Sequence, residues 1–267
     1  MKNRFLLCRA PKPHARLRLF CFPHAGGAAA AYILWNERLP DWVEVNAVEL
    51  PGRGARMAEP PARCLSQLVD HLTELLLPRL DVPFAFFGHS MGALTSFELC
   101  RTLRRRRLPR PRQLLVSAAA APSWPSRERP VRDFSDSELK GWLRDLNGTS
   151  EAVLQHDELM DVMLPILRAD FALLDDYAYT EEPAFDFPIS VFGGLADRAI
   201  RREKLEAWRG HTNADFSLRM FPGNHFFVHQ SPARILAAIS EDLGEVAGAE
   251  APRVRRAPSL VTALQRV

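Results

Sequence analysis

Ser90 lies in Gly88-His89-Ser90-Met91-Gly92, after the apolar run Pro83-Phe84-Ala85-Phe86-Phe87 and before the helix-like Ala93-Leu94-Thr95-Ser96-Phe97-Glu98-Leu99. Strand, tight turn and helix form the setting that exposes a nucleophilic serine at a strand's C-terminal end. Glycines two before and two after the serine let such a turn close without Cβ clashes. The Met91 N–H, at a helix N-terminus, would face the same space, where negative charge is favoured.

A serine hydroxyl needs a base to take its proton, and the base needs an acid to orient it. In this strand–turn–helix setting the chain order is serine, acid, histidine. Of the downstream histidines, His225 in Phe221-Pro222-Gly223-Asn224-His225-Phe226-Phe227 follows the last strand-like run, where the base is required. His229, four residues on, is the weaker candidate; His156 and His211 lie elsewhere. The acid should follow the preceding strand, and Gly193-Gly194-Leu195-Ala196-Asp197-Arg198 offers Asp197. Asp175, Asp176 and Asp186 are its rivals. A cap or an ion pair with Arg198 is the purely structural reading of Asp197. An oxyanion hole needs a second N–H beside that of Met91. Phe20-Cys21-Phe22-Pro23-His24-Ala25-Gly26-Gly27 supplies a strand and a glycine-rich turn, with the Ala25 N–H as the candidate donor. His24 reads as a packing or hydrogen-bonding residue.

These groups must be held by a sheet. Strand-like runs occupy 17–22, 43–50, 83–87, 113–117, 189–192 and 216–221. Several are apolar at consecutive positions, as in strands buried on both faces. Helical patterns at 65–80 (Ser66 as a possible cap), 91–103 and 234–243 separate them. This alternation predicts an α/β fold with a mostly parallel central sheet flanked by helices. The rhythm breaks between 122 and 187. Ser135 with Glu138 three residues on marks a capped helix. Residues 159–177 carry apolar side chains at three- and four-residue spacing. The expected organisation is a core in two parts, 1–121 and 188–244, interrupted by a helical lid at 122–187. A mobile tail at 245–267 is expected to follow, and 259–267 could form a short helix.

With 267 residues, 47% hydrophobic, 25% charged and a net charge of +3, the chain reads as one large globular domain without a polyanionic partner. Cys8, Cys21, Cys64 and Cys100 show no C-x-x-C spacing, and Cys21 and Cys100 read as small buried apolar residues. The run Arg104-Arg105-Arg106-Arg107 lies about 20 Å from Ser90 along a helix, and reads as a solvated helix end rather than a nucleic-acid site. No secretory leader or membrane-length run is evident, so a cytoplasmic protein is expected.

Taken together, these residues resemble the type II thioesterases that accompany nonribosomal peptide and polyketide synthetases. The resemblance rests on Phe22-Pro23-His24-Ala25-Gly26-Gly27, Glu49-Leu50-Pro51-Gly52-Arg53-Gly54, Gly88-His89-Ser90-Met91-Gly92, Leu164-Pro165-Ile166-Leu167-Arg168-Ala169-Asp170-Phe171, Val191-Phe192-Gly193-Gly194 and Pro222-Gly223-Asn224-His225-Phe226-Phe227. It implies an α/β-hydrolase fold with a helical lid. It also implies hydrolysis of stalled or misprimed acyl thioesters on the phosphopantetheine arm of acyl or peptidyl carrier proteins, with no metal or organic cofactor. By position it gives Ser90, Asp197 and His225 the triad roles, and Ala25 and Met91 the oxyanion roles. Leu164, Leu167 and Phe171 would line an acyl channel. Arg53 and Arg56 would meet the carrier or the phosphate of the arm, although Pro-Gly-Arg-Gly also reads as a tight turn. Asn224 stands where such sequences more often have glycine. A general carboxylesterase or lipase, and an idle carrier-binding protein, are the rival readings.

Overall fold

The computed structural model describes residues 4–125 and 129–248. Its strands are β1 (Leu6–Leu7), β2 (Leu17–Phe22), β3 (Val43–Val48), β4 (Phe84–His89), β5 (Leu114–Ser117), β6 (Ile189–Gly194) and β7 (Phe216–Phe221). They form one sheet in the order β1-β3-β2-β4-β5-β6-β7. Only β1 is antiparallel, pairing Leu6 with Val48. The other pairings are parallel. The six strand-like runs read from apolar patterning are all present, each within two residues of its expected ends. β1 has no counterpart among them, because two residues carry no periodicity.

Both faces of the sheet are covered, and alternation along the strands assigns the residues. Phe84 and Phe86 of β4 join Leu68 and Leu72 of α1 (Leu65–Leu76) and Phe97 and Leu103 of α2 (Met91–Arg105). Ala85 and Phe87 point the other way, toward Tyr32, Trp35, Ile235 and Ile239. Cys21 and Cys100 are buried among apolar side chains, as expected. Ser66 does not cap α1. The helix starts after Cys64 without a side-chain cap bond, and a single 3-10 turn, Leu77–Arg79, follows it. Pro78 within that turn has no N–H to continue an α-helix.

Between β5 and β6 the described chain adds no strand to the sheet. It forms α3 (Asp136–Leu146), α4 (Glu151–Leu154) and α5 (Asp157–Asp175). Ser135 accepts from the Glu138 N–H and Glu138 reaches back to the Ser135 N–H, the reciprocal cap read from the sequence. These helices own a separate apolar cluster, including Leu139, Leu143, Leu154, Met160 and Leu164. After β6 come α6 (Arg202–Glu206), α7 (Phe227–Gln230) and α8 (Pro232–Gly248). α8 thus continues through 245–248, which the sequence pattern assigned to a tail. The rest of that tail, with the possible helix at 259–267, lies outside the described residues. No helix among the described residues is long and apolar enough to cross a membrane.

The chain moves from β2 outward to β3, then returns to place β4 on the other side of β2. Such a reversal opens a crevice at the strands' C-terminal ends, where ligands bind in open α/β sheets.

Candidate active site

β4 ends in His89, and Ser90 turns the chain into α2. Ser90 has φ 54° and ψ −115°, a conformation that L-residues rarely adopt. Its N–H donates to Ser117 O at 2.8 Å, tying the turn to β5. The flanking glycines are required by close approach. A Cβ on Gly88 would collide with the Gly92 carbonyl, and one on Gly92 with the Phe22 carbonyl of β2.

Asp197 and His225 arrive from the loops after β6 and β7. His225 Nδ1 lies 2.8 Å from Asp197 Oδ2, and His225 Nε2 lies 3.1 Å from Ser90 Oγ. A carboxylate only accepts, so Nδ1 carries the hydrogen, and Nε2 is left to accept from the Ser90 hydroxyl. Asp197 Oδ1 accepts from the N–H groups of Ala199 (2.9 Å) and Ile200 (3.0 Å), which fixes the carboxylate plane. Asp197 and His225 are buried, and Ser90 is half-buried. The two loops also bind each other: Leu195 N–H donates to Phe221 O and Ala196 N–H to Gly223 O, both at 2.8 Å. Main-chain hydrogen bonds thus tie the Asp197 loop to the His225 loop. Asn224 contributes, since its side-chain oxygen accepts from the Phe226 N–H at 2.9 Å.

The thioesterase-domain family model matches residues 17–243, a span that holds the whole sheet except β1. The chain belongs to the thioesterase family. It is 43% identical to the gramicidin S biosynthesis protein GrsT of Aneurinibacillus migulanus over 229 residues, 86% of this chain and 90% of GrsT. Among solved structures, the RedJ thioesterase of the prodiginine pathway in Streptomyces coelicolor superposes with a TM-score of 0.83 at 40% identity. That match covers 87% of this chain and 92% of RedJ. The type II thioesterase BorB of the borrelidin cluster matches at 36% identity and a TM-score of 0.82, covering 91% and 99%. The fold is the α/β-hydrolase fold, and the resemblance to type II thioesterases read from the motifs is borne out.

In this thioesterase the other sequence-derived site residues divide sharply. The His24-Ala25-Gly26-Gly27 turn lies beside Ser90, and both line one cavity of about 1390 Å³. Among the described residues neither the Ala25 N–H nor the Met91 N–H donates to a protein acceptor. The cavity runs from Ser90 and His225 beneath the inserted helices, past Ala119, Trp124, Phe134, Trp142, Met163, Leu167, Phe171 and Leu174. Leu167 and Phe171 are thus on its wall, as expected. Leu164 is not: it points into the insertion's own cluster, and Met163 faces the cavity instead. A helix packed on two sides divides its apolar positions between them, and spacing alone does not say which goes where.

Arg53 and Arg56 do not face a partner. Arg53 is 4% exposed and forks across Asp170, with Nη1 at 2.6 Å from Oδ2 and Nη2 at 2.7 Å from Oδ1. Arg56 is also buried and donates to both Glu59 oxygens and to Glu49 O. Each guanidinium's hydrogen bonds are spent inside the fold. The arginine run at the end of α2 is likewise engaged: Arg104 and Arg105 pair with Glu182, and Arg106 with Asp70 and Glu74. Arg101, buried, pairs with Glu98 and Glu182.

The remaining histidines have structural surroundings. His24 packs edge-on against Phe226 at 4.9 Å. Burial, reinforced by His229, His225 and Arg53, pushes its pKa down to about 3. His89 is buried beside Ser117 Oγ at 2.9 Å, and its pKa lies well below the usual range because burial disfavours the charged form. His229 stacks on Phe226. His156 caps α5, and His211 meets Ser123 Oγ at 3.1 Å. Asp175 accepts from the Arg132 N–H, while Asp176 and Asp186 pair with Arg132 and Arg110.

Proposed function

We propose that this thioesterase clears stalled or misprimed acyl groups from the phosphopantetheine arms of acyl or peptidyl carrier proteins, with Ser90, His225 and Asp197 as its triad. The observation that carries the reading is the Ser90–His225–Asp197 hydrogen-bond chain opening into a large apolar cavity. Ser90 Oγ attacks the thioester carbonyl carbon as its proton passes to His225 Nε2. The oxyanion is met by the N–H groups of Ala25 and Met91. The C–S bond then breaks, and the imidazolium returns its proton to the departing sulfur, releasing the arm as a thiol. Water repeats the sequence on the acyl-serine: its proton goes to His225, the C–Oγ bond breaks, and Ser90 recovers a proton as the acid leaves. Asp197 holds the imidazole in the working tautomer throughout.

The cavity supports the acyl side of this reading. It exceeds the roughly 300–1,000 Å³ usual for small-molecule sites, so it has room for an acyl chain together with part of the arm. Residues 122–187 act as the lid that excludes water from it. The names of the relatives, tied to gramicidin S and prodiginine biosynthesis, support the carrier-bound substrate.

The test is a matched panel: one acyl group on a carrier protein, on coenzyme A and as an oxygen ester. A higher kcat/KM on the carrier than on coenzyme A is expected, because the carrier's surface adds binding energy that orients the arm. Equal values would leave a general thioesterase, and a preference for the oxygen ester would make the chain an esterase. Failure of a fluorophosphonate to label Ser90 in folded protein would leave only an idle carrier-binding protein.

A further inference from the structure

The Ala25 N–H can meet an oxyanion only if its turn is held in place. The 24–27 turn is closed by one backbone bond of its own, Gly27 N–H to His24 O at 2.9 Å. Its other restraints come from far along the chain. Asp170 of α5 accepts the Gly26 N–H at 2.7 Å with the oxygen that also takes Arg53 Nη1–H. That same Nη1 donates to Gly27 O at 3.2 Å. One bidentate ion pair therefore clamps the peptide group that follows Ala25 and the one that follows Gly27. Asp170 is 1% exposed and Arg53 is 4% exposed, so water cannot replace either contact at low cost. Gly26 has φ +74°, and a Cβ there would come within 2.6 Å of Leu167 Cδ2, so α5 lies directly on the turn.

We propose that Asp170 and Arg53 are positioning residues that aim the Ala25 N–H at the reacting carbonyl oxygen, coupling the oxyanion turn to the inserted helix α5. The inference rests on the reading of Ala25 as an oxyanion donor. The donor is useful only if it is fixed before the charge develops, and a turn with one internal bond does not fix itself.

The test compares full-length wild type with Asp170→Asn and Arg53→Lys. Substrates are a short acyl thioester of N-acetylcysteamine and p-nitrophenyl butyrate. The inhibitor is an alkyl trifluoromethyl ketone, whose adduct with Ser90 places an oxyanion in the same site. Loss of one such donor costs about 10²–10³-fold in kcat. Misaiming one by Asp170→Asn should lower kcat by about 10- to 100-fold on both substrates, leave KM within about twofold, and weaken the ketone by a similar factor. Arg53→Lys keeps a cation on Asp170 but cannot fork across both oxygens, so the same split should appear at smaller size. It decides the matter if Asp170→Asn fails to fold. Unchanged kcat in a folded variant would overturn the proposal. So would a lower kcat with unchanged ketone affinity, because the defect would then lie outside the oxyanion site. Wild-type turnover of the thioester tests the functional reading separately. The p-nitrophenyl ester needs the same donor, so the variant-to-wild-type ratio stands even if carriers prove not to be substrates.

Discussion

The loops at the ends of β4, β6 and β7 and the helices between β5 and β6 border the same cavity, but different forces hold them. The loops that carry Ser90, Asp197 and His225 are set by backbone. Glycine-only approaches close the Ser90 turn, and hydrogen bonds between main chains lock the Asp197 loop to the His225 loop. The inserted helices are set by side chains: an apolar cluster of their own, a reciprocal cap and the buried Arg53–Asp170 pair. Backbone constraints leave few substitutions open, whereas apolar packing tolerates volume-conserving exchange. On the proposed function, the triad chemistry resides in the rigid half and acyl choice in the replaceable one, with Asp170 reaching from the latter to the 24–27 turn.

Changes in the rigid half should break the reaction outright. Ser90→Ala should cost on the order of 10⁶-fold in kcat with the fold intact, read by thioester hydrolysis and circular dichroism. Asp197→Asn should cost about 10⁴-fold, because the amide can donate to Nδ1 and favour the wrong tautomer. A near-normal rate there would mean another acid serves His225. In the replaceable half, Trp142→Ala widens the cavity wall beside Phe171. It should shift the preferred acyl length, changing the kcat/KM ratio of long to short chains by about tenfold while kcat on the best substrate holds. A uniform loss across all chain lengths would erase the contrast between the two halves.

Acid should reveal the smallest effect. The His24 pKa is about 3 in the fold, against about 6.5 in an unfolded chain. Above pH 6.5 both states are neutral there and its contribution is fully present. As pH falls from 6.5 toward 3 the unfolded state takes up a proton that the folded state refuses. Stability then drops by up to about 1.4 kcal/mol per pH unit from this residue. His24→Gln should therefore flatten the decline in Tm between pH 6.5 and 5, and an unchanged slope would show that His24 does not titrate on unfolding.

What could be read from the sequence follows the same division. The strands were legible because both faces are buried and the runs are apolar at nearly every position. That Ser90, Asp197 and His225 meet was legible because chain order and strand ends restrict where such groups can stand. The Ser135–Glu138 cap was visible as a local pattern. The Arg53–Asp170 pair was not, since 117 residues separate its partners and nothing local marks either as buried. Arg53 reads as a surface charge for that reason; Arg56 pairs locally with Glu59, but an i,i+3 ion pair does not mark burial, and spacing does not say which side of a two-sided helix Leu164 faces.

The position of the inserted helices has one more consequence. β5 and β6 are sheet neighbours, with Leu114 opposite Ile189 and Ser117 opposite Phe192. The intervening segment is therefore a single crossover whose two anchoring strands are fixed independently of its length. Doubling such a connection costs only about 0.6 kcal/mol in closure entropy. The crossover can thus change length at little entropic cost to the β5–β6 pairing, so long as its anchors on the core are kept. Those anchors include Asp170 on the 24–27 turn, Glu182 on the arginines of α2, and Phe185 and Phe187 in the main core.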